Sequence, residues 1–142
     1  MKPILYIFSA CLFAAILFSC EKNEVDSSSN VNAETIIHQE LYEELDKDVP
    51  LKEVKIIGDE LHVTINDGGC SGARWKVKLV GGSLAYSNPP QRFAKIEFVN
   101  DEECEAWITR TFVFDLKPLR VKGSRKVNIK LEGWPKQLLY AY

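Results

Sequence analysis

From Leu51 to the C-terminus, apolar residues return at every second position in short runs broken by glycine, proline and serine. A period of two buries one face only if the chain is extended, so this region reads as β-strands joined by turns. LKEVKIIGDELHVTIN is two such runs meeting at Gly58-Asp59, with Leu61, Val63 and Ile65 on one side and His62 and Thr64 on the other. RWKVKLV sets Trp75, Val77 and Leu79 against Lys76 and Lys78, and RFAKIEFV sets Ala94, Ile96 and Phe98 against Lys95 and Glu97. In CEAWITRTFVFDL the face of Ala106, Ile108, Phe112 and Phe114 is interrupted by Arg110, which predicts a bulge or a change of sheet at that point. RKVNIKLEG and QLLYAY complete a set of about seven strands in some ninety residues. The expected fold is all-β, an antiparallel immunoglobulin-like β-sandwich over residues 51–142.

The N-terminal part follows other rules. MKPILYIFSACLFAAILFSC has one positive charge, Lys2, then an apolar run from Ile4 to Phe18 and a small residue, Ser19, before Cys20. That is the layout of a secretory signal over residues 1–19, and the run is shorter than the roughly 20 residues of a bilayer span. Leu17, Ser19 and Cys20 resemble a bacterial lipobox, which implies lipidation at Cys20 and attachment to a membrane. Two or more acyl chains anchor stably, since each buried methylene contributes about 0.8 kcal/mol. Residues 20–32, rich in serine, asparagine and acids, read as a flexible acidic tether. Residues 33–50 read as a short helix and lead-in, because Ile37, Leu41 and Leu45 fall four apart behind Asn32 as N-cap. Charge divides accordingly, net −7 over residues 21–50 and net +4 over 51–142.

Compartment narrows the roles of cysteine. Cys11 leaves with the signal and Cys20 goes to lipid, so Cys70 and Cys104 remain as an even pair in an oxidising setting, where a disulfide is expected. In INDGGCSGARW, Asp67-Gly68-Gly69 would supply the turn that brings Cys70 toward Cys104. A zinc site would need three or four ligands, and no CxxC or HxxxH spacing accompanies the two cysteines and His38 and His62. A catalytic thiol would need a positioned base, and the only histidine of the strand region, His62, falls on the solvent face. No metal, cofactor or catalytic residue is therefore expected.

Three further features bear on partners. Asp67, Asp101, Glu102 and Glu103 could converge on calcium, but their spacing is not that of a calcium loop and reads as a charged hairpin tip. SLAYSNPPQR carries Pro89 and Pro90 in a stiff segment compatible with a cis bond and with insertion into a partner, or with a plain connection between strands. Lys117, Arg120, Lys122, Arg125 and Lys126 form a basic run that could face phosphate or an anionic glycan, or lie over the acidic tether. Of the tryptophans, Trp75 follows the core phase, whereas Trp107 lies opposite Ala106 and Ile108, so its exposure is expected.

Several segments together resemble small uncharacterised lipoproteins of Bacteroidetes-type bacteria. They are the lipobox cysteine followed by EKN, the Gly68-Gly69-Cys70 triplet, SNPPQ at Ser87 to Gln91, and CEAWIT with FVFDLKPL between Cys104 and Leu119. The histidine that commonly follows the first cysteine in that group is replaced here by SGARW. The resemblance implies an immunoglobulin-like sandwich with paired cysteines and implies no activity. The resulting expectation is a non-enzymatic, lipid-anchored binding or accessory module of the cell envelope, at the outer membrane on its periplasmic or outer face. Its partner would be a protein met by Pro89 and Pro90, as in a protease inhibitor, or a glycan met by Trp107 with Lys117, Arg120 and Lys122. Nucleic acid is not expected at such a location.

Overall fold

The computed structural model describes residues 30–45 and 48–142. The signal at 1–19, Cys20 and the tether up to residue 29 lie outside the described residues. Eight strands and one helix follow in order: β1 (Val31–Ile37), α1 (Gln39–Glu44), β2 (Leu51–Ile57), β3 (Glu60–Gly69), β4 (Lys76–Ala85), β5 (Gln91–Val99), β6 (Ala106–Asp115), β7 (Lys126–Leu131) and β8 (Leu138–Ala141). A single turn of 3-10 helix, Lys117–Leu119, lies between β6 and β7.

The protein is all-β in the broad sense expected, with its strands in one mixed sheet of order β2-β3-β6-β1-β4-β5-β7-β8. The sheet curls until its end strands, β2 and β8, lie in contact, giving a nearly closed barrel. β2–β3, β3–β6, β4–β5 and β7–β8 are antiparallel, while β1 runs parallel to both β4 and β6, and β5 runs parallel to β7. The Gly58-Asp59 hairpin forms as expected, joining β2 to β3.

The main departure is at the start. Residues 31–37 are an interior strand of the sheet, so the folded unit begins at Val31 and takes in the end of the expected tether and part of the expected helix. Val31, Ala33 and Thr35 turn inward while Asn32 and Glu34 are exposed, a period of two that the four-residue spacing of Ile37, Leu41 and Leu45 conceals. The helix is confined to Gln39–Glu44, and its N-cap is His38, whose Nδ1 accepts from the Leu41 amide at 3.1 Å.

Inward residues of every strand except β1 supply the buried core, among them Leu61, Val63, Ile65, Leu79, Phe112, Phe114, Ile129 and Tyr140, closed over by Trp75, Leu116 and Leu119. The phases read for β3, β4, β5 and β7 are those observed. β6 keeps unbroken register with β3 from Glu60↔Asp115 to Gly69↔Ala106, so no bulge or change of sheet occurs at Arg110. The arginine stays on the inner face at the barrel's rim, where its Nη1 donates to the Gly72 carbonyl at 2.6 Å. A guanidinium is tolerated there because a backbone acceptor meets it.

Lys95, expected on a solvent face, is only 6 % exposed. Helix α1 covers it: Lys95 Nζ donates to the Leu45 carbonyl at 2.9 Å and lies 4.6 Å from the centre of the Tyr42 ring. The helix comes this close because Gly82 of β4 has no side chain; a Cβ there would stand 2.5 Å from Tyr42 Cγ. Gly82→Val is therefore expected to lift α1 and cost about 1–3 kcal/mol by overpacking. Denaturant unfolding would show it, and the same change in a Tyr42→Ala background should cost clearly less; equal costs in both backgrounds would contradict this contact.

Candidate functional site

Strand direction sorts the expected site residues to two ends of the barrel. β3 ends, β4 starts and β6 starts at one rim, which carries Cys70, Trp75, Cys104 and Trp107. The opposite rim carries the Gly58-Asp59 turn, the β4–β5 hairpin with Pro89 and Pro90, and the segment after β6 with Lys117, Arg120 and Lys122. Trp107 and the basic run are thus not brought together.

At the first rim Cys70 and Cys104 form the expected disulfide, with Cα atoms 4.8 Å apart. The turn is not at Asp67-Gly68-Gly69, which are still paired with β6, but at Gly72, whose φ of 68° suits glycine. Gly69 has a different use, since a Cβ on it would lie 2.6 Å from Glu102 Oε2. The Glu102 carboxylate is the centre of this rim. Its Oε2 accepts from the amides of Cys70, Ser71 and Gly72 at 2.6, 2.9 and 2.8 Å, and its Oε1 accepts from Arg74 N at 3.1 Å. These backbone donors, Ser71 N first among them, hold its pKa down to about 2. Asn100 secures the same loop, donating Nδ2 to Asp67 Oδ2 and the Gly68 carbonyl while its Oδ1 accepts from Glu102 N. The expected charged tip is therefore a clasp between two loops, with Glu102 fully engaged by main chain. Among the described residues no group of three His, Cys, Asp or Glu is arranged to hold a metal ion.

At the second rim Arg120 is committed to the fold. Its Nη2 donates to Asp59 Oδ1 at 2.7 Å and its Nε to Tyr140 Oη at 2.8 Å, while Tyr140 Oη itself donates to Asp59 Oδ1 at 2.7 Å. Hydrogen bonds from Tyr140 and Arg120 lower the Asp59 pKa. The guanidinium also lies 4.9 Å from the centre of the Tyr142 ring. These contacts tie the β2–β3 turn to β8 across the seam of the barrel. Lys117 Nζ is 4.0 Å from Asp59 Oδ2, and Lys122 is exposed on the following turn. In the proline hairpin the Asn88-Pro89 bond is cis, Ser87 Oγ donates to the Pro89 carbonyl at 2.7 Å, and Pro90 O accepts from Asn128 N at 2.9 Å. Pro89 and Pro90 are half-buried; the side chain this hairpin presents is Tyr86, 90 % exposed.

A groove of about 620 Å³ lies on the outer face of β2, β3 and β6. Its walls and floor follow from register, because Leu61, Val63 and Ile65 face the core and their neighbours must face outward. Thr64 stands between Glu53 and Thr111, His62 between Lys55 and Val113, Asn66 beside Thr109, and Gly68 beside Trp107. Thr64 and Thr111 hydroxyls lie 2.9 Å apart, and Thr109 Oγ1 donates to Asn66 Oδ1 at 3.0 Å. The His62 side chain is only 11 % exposed, with Nε2 3.0 Å from Glu60 Oε2, so its outward phase was read correctly and its exposure was not. Trp107 is 75 % exposed, and the strand beside it offers only a glycine, so no side chain of β3 lies across its ring. None of the threonines stands out in the sequence, where Thr64, Thr109 and Thr111 read as the polar half of an alternating strand. The one usable signal was that they share a phase with Trp107.

No family model and no curated protein matches the chain. A solved structure similar to it is a protein of unknown function, DUF1344, from Bacteroides vulgatus ATCC 8482, at 15% identity and a TM-score of 0.53. The similarity covers 79% of this chain and 57% of the other, so this chain spans little more than half the length of that protein. At this identity the likeness is one of fold.

Proposed function

We propose that the protein is a lipid-anchored lipoprotein of the bacterial cell envelope whose folded part is a non-enzymatic binding or accessory module. The observation that carries the binding role is the outer face of β2, β3 and β6, a grooved polar surface with an exposed tryptophan at one end. The non-enzymatic role rests on how the acids are used: Glu102 is held by backbone amides and Asp59 by Tyr140 and Arg120, both in service of the barrel. Membrane attachment rests on the lipobox at Cys20, and the outer membrane is the proposed location. From Cys20 to Val31 an extended chain reaches up to about 35–40 Å, enough to hold the barrel clear of a bilayer surface. Membership of the Bacteroidetes-type lipoprotein group rests on the GGC, SNPPQ and CEAWIT segments. The immunoglobulin-like description is part of the same proposal, supported by two groups of strands, β2-β3-β6 and β4-β5-β7-β8, facing one core beside the disulfide.

Two measurements test this reading. Palmitate labelling of the expressed protein should disappear in Cys20→Ala; retained label would remove the anchor. Calorimetric titration with neutral oligosaccharides, with dextran sulfate and with a panel of serine and cysteine proteases should give binding in one class, and binding in none would remove the module. A second reading, a protease inhibitor, is favoured by the hairpin that presents Tyr86. It requires stoichiometric inhibition that Tyr86→Ala abolishes.

A further inference from the structure

We infer that the groove on the outer face of β2, β3 and β6 is a binding site for a neutral oligosaccharide, an inference that rests on the binding-module reading above and gives it a ligand class. The backbone of β3, the middle strand of the face, is paired on both sides, with β2 and with β6, so over β3 a ligand meets side chains only. An extended peptide lying there would have no free edge to pair with.

The side chains point to hydroxyl chemistry. A threonine hydroxyl has one donor and two acceptor sites. One proton is used between Thr64 and Thr111, which leaves a second hydroxyl proton and the remaining lone pairs for a ligand. Thr109 donates to Asn66 Oδ1, which leaves the Thr109 lone pairs and the Asn66 amide NH₂. The face therefore offers donors and acceptors side by side, as a polyol both donates and accepts.

Charge favours a neutral ligand. Lys55 Nζ lies 3.7 Å from Glu53 Oε1, and with Lys52 beside them the groove carries charges of both signs. A polyanion would meet Glu53 as well as Lys52 and Lys55. Apolar surface appears at two places, Trp107, 75 % exposed, beyond the threonines and Ile57, 53 % exposed, in the groove. The flat indole is suited to the C–H face of a pyranose ring, leaving the sugar's hydroxyls for the threonines. Trp107 and Thr111 are four residues apart on one strand, about 14 Å at ~3.4 Å per residue, so the site extends over more than one sugar unit. Its volume of about 620 Å³ is within the range of ligand clefts.

The test is calorimetry of the whole protein against cellohexaose, mannohexaose, xylohexaose, laminarihexaose and maltohexaose, with dextran sulfate and the protease panel alongside. At least one neutral hexaose should bind, Trp107→Ala should weaken it tenfold or more, Thr111→Val about threefold or more, and Trp107→Phe should retain most of the affinity. These positions are at the surface or keep a β-branched side chain, and an unchanged thermal midpoint confirms that each variant is folded. Neutral binding indifferent to Trp107→Ala and Thr111→Val would overturn the location. Binding to dextran sulfate or a protease alone would overturn the ligand class and leave the module reading intact; no binding in any class would overturn both.

Discussion

Replacing Cys70 and Cys104 together by serine is expected to lower the midpoint of thermal unfolding by roughly 10–15 °C. The bond closes a loop of 34 residues, which in the chain-entropy treatment contributes roughly 3–4 kcal/mol by restricting the unfolded chain. The position adds a second consequence. Glu102 lies two residues before Cys104, and its carboxylate reaches the amides of Cys70, Ser71, Gly72 and Arg74, so disulfide and hydrogen bonds hold the same two loops. Their effects should not add, because once the covalent link is gone the loops separate more readily and the hydrogen bonds are worth less. Scanning calorimetry of the double serine variant, of Glu102→Gln and of the triple variant would show this. A serine variant melting within about 3 °C of the parent would mean that the loops are held without the bond.

Glu102→Gln carries the second large effect, and its signature is in pH. The native carboxyl has a pKa lowered from 4.5 to about 2, so it binds its proton less readily folded than unfolded. Its contribution is therefore complete above about pH 4.5 and is lost as pH falls through about 2. A gap in melting temperature between parent and Glu102→Gln is expected near pH 6 and should close between pH 5 and 2. Asp59, whose pKa is also lowered, tilts both curves in the same acid range and cancels from the difference between them. A gap that stays constant from pH 6 to 2 would mean that the main-chain amides do not hold an ionised Glu102.

The strands themselves could be read residue by residue, because burial on one face imposes a period that any half-buried strand must carry. Val63, Leu79, Ile96 and Ile129 all fall where the alternation put them. What could not be read was pairing. Nothing in VNAETII states that it lies between two strands that come 39 and 69 residues later, since parallel neighbours leave no turn motif in the sequence. The same applies to Arg110, whose charge argues against an inner face until the Gly72 carbonyl is seen opposite it. The cysteine pairing followed from parity and compartment. The role of Glu102 did not, because an acid that accepts backbone hydrogen bonds looks like any other surface acid in a string of letters. The groove lay hidden for the opposite reason: its threonines are ordinary strand residues, and only the register of β2, β3 and β6 sets them in a row.

The place of β1 also orders events as the chain is made. As the first of the described strands to emerge, it has no partner of its own until β4 follows, and it is not enclosed until β6 has been delivered. Some seventy residues of chain must emerge before the middle of the sheet can be completed. Assembly of this barrel is therefore a late, nearly whole-chain step, and a nascent molecule truncated before Phe112 would leave Val31–Ala33 without its β6 partner, a strand edge open to other chains.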